Sequence, residues 1–153
     1  MGNSNIDIDK AGWSFDNTYA KLPKDLLVKQ APTPVRSPEL IILNKDLSKD
    51  LDLDFANVTE ESLSQLFSGN LLPTGSNSIA QAYAGHQFGH FTMLGDGRAV
   101  LIGEHLSKNG DRYDIQFKGS GKTPFSRSGD GRAALAPMLR EYIISEAMHE
   151  LGV

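Results

Sequence analysis

Residues 112–118, RYDIQFK, alternate without a fault: Tyr113, Ile115 and Phe117 fall on one side of an extended chain, and Asp114, Gln116 and Lys118 on the other. A period of two sorts side chains this way only in a β-strand. The residues before it supply the rest of a sheet. Asn109-Gly110 is the favoured pair for a tight reversal, RAVLIGE at 98–104 is a second strand, and Gly95-Asp96-Gly97 turns into it from the apolar run FTML at 91–94. The pattern predicts a three-stranded antiparallel meander whose first two strands are joined by the glycine turn and whose third ends on Lys118. A glycine-rich loop then leads to a long helix in LAPMLREYIISEAMHELGV.

Upstream, the helix grammar is clear in NVTEESLSQLFSGN. Thr59 caps it, Glu60 and Glu61 occupy the first turn, Leu63, Leu66 and Phe67 share a side, and Gly69 stops it. A second short helix is predicted in GSNSIAQAYAGHQFGH, begun at Ser76 or Asn77 and ended by Gly85. ELIIL at 39–43 reads as a short strand followed by an acidic, turn-rich piece. Pro32, Pro34 and Pro38 make an extended connector, with Trp13, Phe15, Tyr19 and Leu22 as apolar anchors before it. In the C-terminal helix the apolar residues Met138, Leu139, Tyr142, Ile143, Ile144, Ala147, Met148 and Leu151 spread around the axis. A helix apolar on most sides requires partners on most sides. It is therefore expected to be packed, and the chain to be cut from a longer protein that carries part of the packing surface.

Composition removes several classes. At 153 residues the chain can bury a substantial core. No apolar run reaches the length of a membrane span, and the start MGNSNIDIDKAGW lacks the basic-then-apolar layout of a signal peptide. Ile6 stands where a myristoylation pattern needs Ser or Thr. These features predict a cytoplasmic protein with no membrane partner. Zero cysteines exclude disulfides, thiolate metal sites and thiol nucleophiles within these residues. A net charge of -4 weighs against a broad nucleic-acid surface. Against that acidic background the cations Lys118, Lys122, Arg127 and Arg132 stand out.

They lie in QFKGSGKTPFSRSGDGR, residues 116–132, which imitates a phosphate loop and is not one. Gly-x-x-x-x-Gly-Lys-Thr would need a glycine where Gln116 stands, and Pro124 disfavours helix geometry at Thr123. The dinucleotide pattern fails at the same proline. The Gly121-Lys122-Thr123 triplet therefore reads as connective. What the chain does match is an order of elements: strand, glycine turn, strand, strand ending in Lys, helix carrying an acid. That is the order of the small lobe of a protein-kinase-like fold, where bare backbone approaches a polyphosphate, the strand Lys supplies charge, and a helix Glu holds the Lys extended. Gly95, Gly97, Lys118 and either Glu141 or Glu146 are the candidates. The kinase signatures Gly-x-Gly-x-x-Gly and Val-Ala-Ile-Lys are absent.

Three stretches carry a closer likeness. NSIAQAYAGHQFGHFTMLGDGRAVLIGE, DIQFKGSGKTPFSRSGDGRAAL and LREYIISEAMHELGV resemble the selenoprotein O (SelO, YdiU-type) family over about residues 70–153. The resemblance implies an α+β pseudokinase fold: a kinase-like small lobe, an antiparallel meander with a packed C-terminal helix and extra N-terminal helices. It divides the chain into an N-terminal extension, 1–70, and a nucleotide-binding region, 71–153. It also implies transfer of AMP from ATP to Ser, Thr or Tyr hydroxyls of protein substrates, with ATP flipped relative to ordinary kinases. Gly95, Gly97 and Arg98 of GDGR, Lys118 of FKGSG, and Asp130 and Gly131 of SGDGR would then contact the nucleotide. Glu141 of LREY would brace Lys118, with Glu146 the weaker candidate. The catalytic base and the Mg²⁺ ligands of the family lie beyond Val153, so no catalytic or metal-binding residue is assigned here.

Each of these residues also has an ordinary reading. Lys118 is by composition a solvated strand-end lysine, Arg98 a cation beside a turn, and Glu141 a helix acid; the two GDGR segments, 95–98 and 129–132, are common Asp-Gly turn chemistry. His86 and His90 have the i,i+4 spacing of a helical metal pair, but Gln87 replaces the zincin Glu and Gly85 and Gly89 weaken a helix, so a structural role is expected. Two other functions fit the same residues: phosphoryl transfer by a kinase-like enzyme, and a non-catalytic ATP-binding scaffold.

Overall fold

The computed structural model describes residues 4–87 and 89–153; the Met1–Asn3 start, read above against myristoylation, lies outside the described residues. Five strands form one antiparallel system: β1 (Leu27–Lys29), β2 (Ile79–Gln87), β3 (His90–Gly95), β4 (Ala99–Leu106) and β5 (Arg112–Lys118). Their order is β1-β2-β4-β5, with β3 paired to β2. Among the described residues four α-helices accompany them: α1 (Ser4–Asp9), α2 (Lys45–Asp50), α3 (Glu60–Phe67) and α4 (Leu135–Glu150). The chain is thus mixed α and β around an antiparallel sheet.

The strands of the predicted meander are present, but the glycine turn does not close a hairpin. β3 pairs with the outer half of β2, from Ala82 opposite Gly95 to Gln87 opposite His90. β4 touches β2 at Ile79–Leu101 and otherwise runs against β5, with Ala99 opposite Lys118. The bend at 95–97 carries the chain from one hairpin to the next. Its cause is Asp96, whose N–H donates to the Gln81 carbonyl at 2.9 Å and whose carboxylate accepts the Gln81 N–H at 3.0 Å. Those bonds stitch the bend to β2 and leave no freedom to fold β4 back on β3.

Two further expectations are corrected. Residues 79–87 are strand β2, not a helix. Ile79 and Ala80 are almost fully buried between neighbouring strands, and that pairing overrides the weak local preference of an Ala- and Gly-rich stretch. The 39–43 strand is absent: the segment has no regular structure, and Leu40 and Leu43 pack on the core while Ile41 and Ile42 are exposed. The acidic piece after it holds α2, capped by Asn44, whose side chain accepts the Asp46 and Leu47 N–H groups. α3 forms as read. The Thr59 hydroxyl accepts the Ser62 N–H at 3.2 Å, and Gly69 follows with φ of 80°.

The main core joins the N-terminal segment to the sheet. Ile8, Ala11, Val58, Leu63 and Leu66 are buried together, and Trp13, Phe55, Leu71 and Phe117 of β5 pack against them. Residues 13–19 are tied to β4. His105, buried, accepts the Ser14 N–H on Nδ1 at 3.1 Å, so its Nε2 carries the proton and donates to the Leu51 carbonyl at 2.8 Å. The buried Glu104 accepts from the Thr18 hydroxyl and the Tyr19 N–H, at 2.7 and 2.6 Å. Gly103 is required beside them, since a Cβ there would come within 2.6 Å of Phe15 and Asn17.

The expectation of a packed C-terminal helix is not met. None of the residues of α4 is buried, and Leu135, Ile143, Ile144 and Met148 are exposed. Among the described residues no helix is long and apolar enough to cross a membrane.

Candidate functional site

The bend at 95–98 forms one wall of a cavity of about 750 Å³. Four loops and strand ends meet there, for local reasons. β5 ends at Lys118 opposite Ala99, and the Gly119 N–H donates to the Arg98 carbonyl at 2.7 Å, so Lys118 and Arg98 become neighbours. The chain then loops out and returns: the Gly121 N–H donates to the Gly131 carbonyl at 3.1 Å, and Ser120 bridges Arg132. This return sets Asp130-Gly131 beside the end of β5. Gly131 has no room for a side chain, because a Cβ would lie 2.0 Å from the Gly121 carbonyl oxygen, and its φ is 74°.

Gly95, Gly97, Arg98, Lys118, Asp130 and Gly131 therefore all line one cavity. Behind it the Lys118 ammonium is ion-paired with Glu141 of α4. The structure selects Glu141 over Glu146 as the helix partner. The pair is half-exposed, at 42% and 49% for the two side chains, which corrects the expectation that this helix acid sits in a largely buried helix. The hydrogen bond from Lys118 holds the Glu141 carboxyl below the usual carboxylate range, and Arg98 adds a smaller pull in the same direction.

Asp96 is the residue the sequence pattern undervalued. It is 5% exposed, and its carboxylate also accepts from Gln116 at 3.2 Å. Burial pushes its carboxyl up, against the bonds from Gln81 and Gln116. Asp130 has a local duty, its Oδ1 accepting the Arg132 N–H at 2.9 Å, while the Arg132 guanidinium donates to the carbonyls of Thr33 and Pro34 at 3.1 Å each. Arg132 thus ties the return of the loop to the proline connector. The cavity also takes in Tyr83, Gln116, Phe125, Ser126 and Arg127. Burial, with Asp96 as a second cause, pushes the Tyr83 phenol up. Gln116 had a signal in the sequence, since it shares its strand face with Lys118; Tyr83 was hidden by the helical reading of the stretch that begins at Ser76 or Asn77 and ends at Gly85.

His86 and His90 lie on opposite strands of the β2–β3 hairpin, where His86 meets Phe91 edge-on at 5.6 Å. Helical metal-pair spacing has no meaning there. The cavity's carboxylates are a poor cation cage: Asp96 is committed to Gln81 and Gln116, and Asp130 to Arg132. Among the described residues no three His, Asp or Glu groups converge to hold a metal. Cations on the rim, bare backbone in the bend and an apolar side at Tyr83 and Phe125 suit a ligand that joins a flat ring to a polyanion.

The family model described as "Protein adenylyltransferase SelO" matches residues 11–153. The chain belongs to the SelO family. "Protein nucleotidyltransferase YdiU" of Pelagibacter ubique is 72% identical over 142 residues, covering 93% of this chain and 29% of the relative. The proteins of the same description from Nitrosococcus oceani and Geobacillus kaustophilus are 66% and 61% identical, with 29% and 30% of their lengths covered. The chain thus spans about three-tenths of the length of these SelO-family relatives.

Proposed function

We propose that this chain supplies the nucleotide-binding half of a protein adenylyltransferase, which moves AMP from ATP to Ser, Thr or Tyr hydroxyls of protein substrates and releases pyrophosphate. The observation that carries the reading is the convergence of the 95–98 bend, Lys118 and the Asp130-Gly131 turn on one cavity, with Lys118 braced by Glu141. The SelO description and the relatives' nucleotidyltransferase names supply the reaction class.

The chemistry follows from the groups present. The breaking bond joins the α-phosphorus to the bridging oxygen of the departing pyrophosphate, and negative charge grows on that oxygen. Lys118 and Arg98 stabilise this charge, while the backbone of the 95–98 bend can come close because Gly95 and Gly97 carry no side chains. Glu141 keeps the Lys118 ammonium extended, so no side-chain ordering is needed as charge develops. The acceptor hydroxyl loses its proton to a base assigned, on the family resemblance, to residues beyond Val153. Mg²⁺ is assigned there too, where it would shield the triphosphate.

Full-length protein incubated with protein acceptors and either α-labelled or γ-labelled ATP tests the reading. The α label should enter protein with the mass of an added AMP. Transfer of the γ label instead would replace this reading with phosphoryl transfer, and nucleotide binding with no covalent product would replace it with a scaffold. The isolated 153 residues should transfer nothing; robust transfer by them would overturn the assignment of the base to another part of the protein.

A further inference from the structure

The Gly-Lys-Thr triplet that fails as a phosphate loop has another use in the folded chain. Thr123 is 6% exposed. Its hydroxyl donates to the Asp96 carbonyl and accepts the Phe125 N–H at 3.1 Å. Three residues on, the Ser126 hydroxyl donates to the Gly97 carbonyl and accepts the Thr123 N–H at 2.8 Å. Between them the Phe125 ring occupies the space a side chain at residue 95 would need: a Cβ on Gly95 would lie 2.4 Å from its Cγ. The turn Thr123-Pro124-Phe125-Ser126 therefore holds two successive peptide planes of the bend.

Fixing a carbonyl fixes the N–H across the same peptide. Among the described residues there are no cis peptide bonds, and in a trans peptide the N–H points opposite to the C=O. With the Asp96 and Gly97 carbonyls drawn to the 123–126 turn, the N–H groups of Gly97 and Arg98 are directed away from it. Among the described residues neither meets an acceptor, although both residues line the cavity. Consecutive backbone donors at a concave surface are an anion site.

We propose that Thr123 and Ser126 are positioning residues, whose hydroxyls orient the peptides of the glycine bend so that the Gly97 and Arg98 N–H groups meet the polyphosphate of the nucleotide. The inference rests on the nucleotide-binding reading above and names which part of the ligand the bend grips. Both hydroxyls are already engaged with backbone groups of the bend and the turn, so their effect is exerted through backbone orientation.

Calorimetric titration of full-length Thr123→Val, Thr123→Ser and Ser126→Ala against ATP, inorganic tripolyphosphate and adenosine tests it. Loss of one orienting bond should weaken ATP and tripolyphosphate binding about tenfold, the worth of one hydrogen bond. Adenosine binding should stay at the wild-type level, and Thr123→Ser should restore tripolyphosphate affinity. Wild-type tripolyphosphate affinity in Thr123→Val and Ser126→Ala overturns the inference. So does an equal loss of all three ligands in which Thr123→Ser shares, since that is general unfolding. A wild-type protein that binds neither ATP nor tripolyphosphate overturns instead the nucleotide reading on which it stands.

Discussion

Lys118 and Glu141 show what a single ion pair can and cannot do. Both side chains are roughly half in water, and exposed pairs add little to stability because solvent screens them. Their value is positional: Glu141 holds the ammonium at the cavity, next to Arg98. Glu141→Gln in the full-length protein should therefore leave the thermal midpoint nearly unchanged while nucleotide transfer falls about tenfold, measured as incorporation of α-labelled ATP. A midpoint that falls along with activity would make the pair structural. The pH dependence has a definite sign. The Glu141 carboxyl is held below its ordinary value by Lys118, so the pair is intact above that ordinary value and fails as pH falls through the lowered one. On the acid side wild-type nucleotide affinity should drop in that range, and Glu141→Gln should lack that limb. Both residues were legible in the sequence, one ending an alternating strand and the other on the helix that follows. Thr123 was not, because its partner is a backbone carbonyl 27 residues away, and no side-chain pattern marks a carbonyl.

Among the elements, β5 and α3 were legible throughout because each carries its own signal: strict alternation in one, a capped and stopped apolar stripe in the other. β2 was misread, since IAQAYAGHQ has few branched or aromatic residues and its state is set by β1, β4 and β3 on its flanks. The hairpin partners of β3 and β4 were misassigned for a related reason: Asp-Gly chemistry marks a turn but not which strands it joins. β4 offers the clearest energetic test. His105 is 1% exposed and satisfies two backbone groups at once, the Ser14 N–H and the Leu51 carbonyl. His105→Phe keeps a ring against Trp13 and Phe15 and removes both bonds. With Ser14 partly open to water, the loss should be about 2 kcal/mol, read from urea unfolding monitored through Trp13. A loss well under 1 kcal/mol would mean that water replaces both partners.

At the scale of the whole molecule, one asymmetry governs the site. The sheet end of the cavity is rigidly founded: Val100, Leu101 and Ile102 of β4 are at most 2% exposed. The helix end is not, because α4 buries no residue completely: it is joined to the sheet by the Lys118–Glu141 pair, and its half-buried Met138, Leu139 and Tyr142 border a groove that Leu40 and Phe67 also line. Isolated helices of this length are marginal in water, and local opening is cheapest where few apolar contacts are broken. Hydrogen exchange on the 153-residue chain should therefore find the amides of α4 exchanging orders of magnitude faster than those of Val100–Ile102. Each opening of α4 withdraws Glu141 and releases Lys118. Nucleotide affinity of this chain should thus fall below that of the full-length protein, scaled by the fraction of time α4 is closed, since only the closed state holds the lysine in place. Added contacts on Ile143, Ile144 and Met148 would raise that fraction without touching the ligand. Slow exchange across α4, matching β4, would remove this coupling and leave Lys118 fixed by the sheet alone.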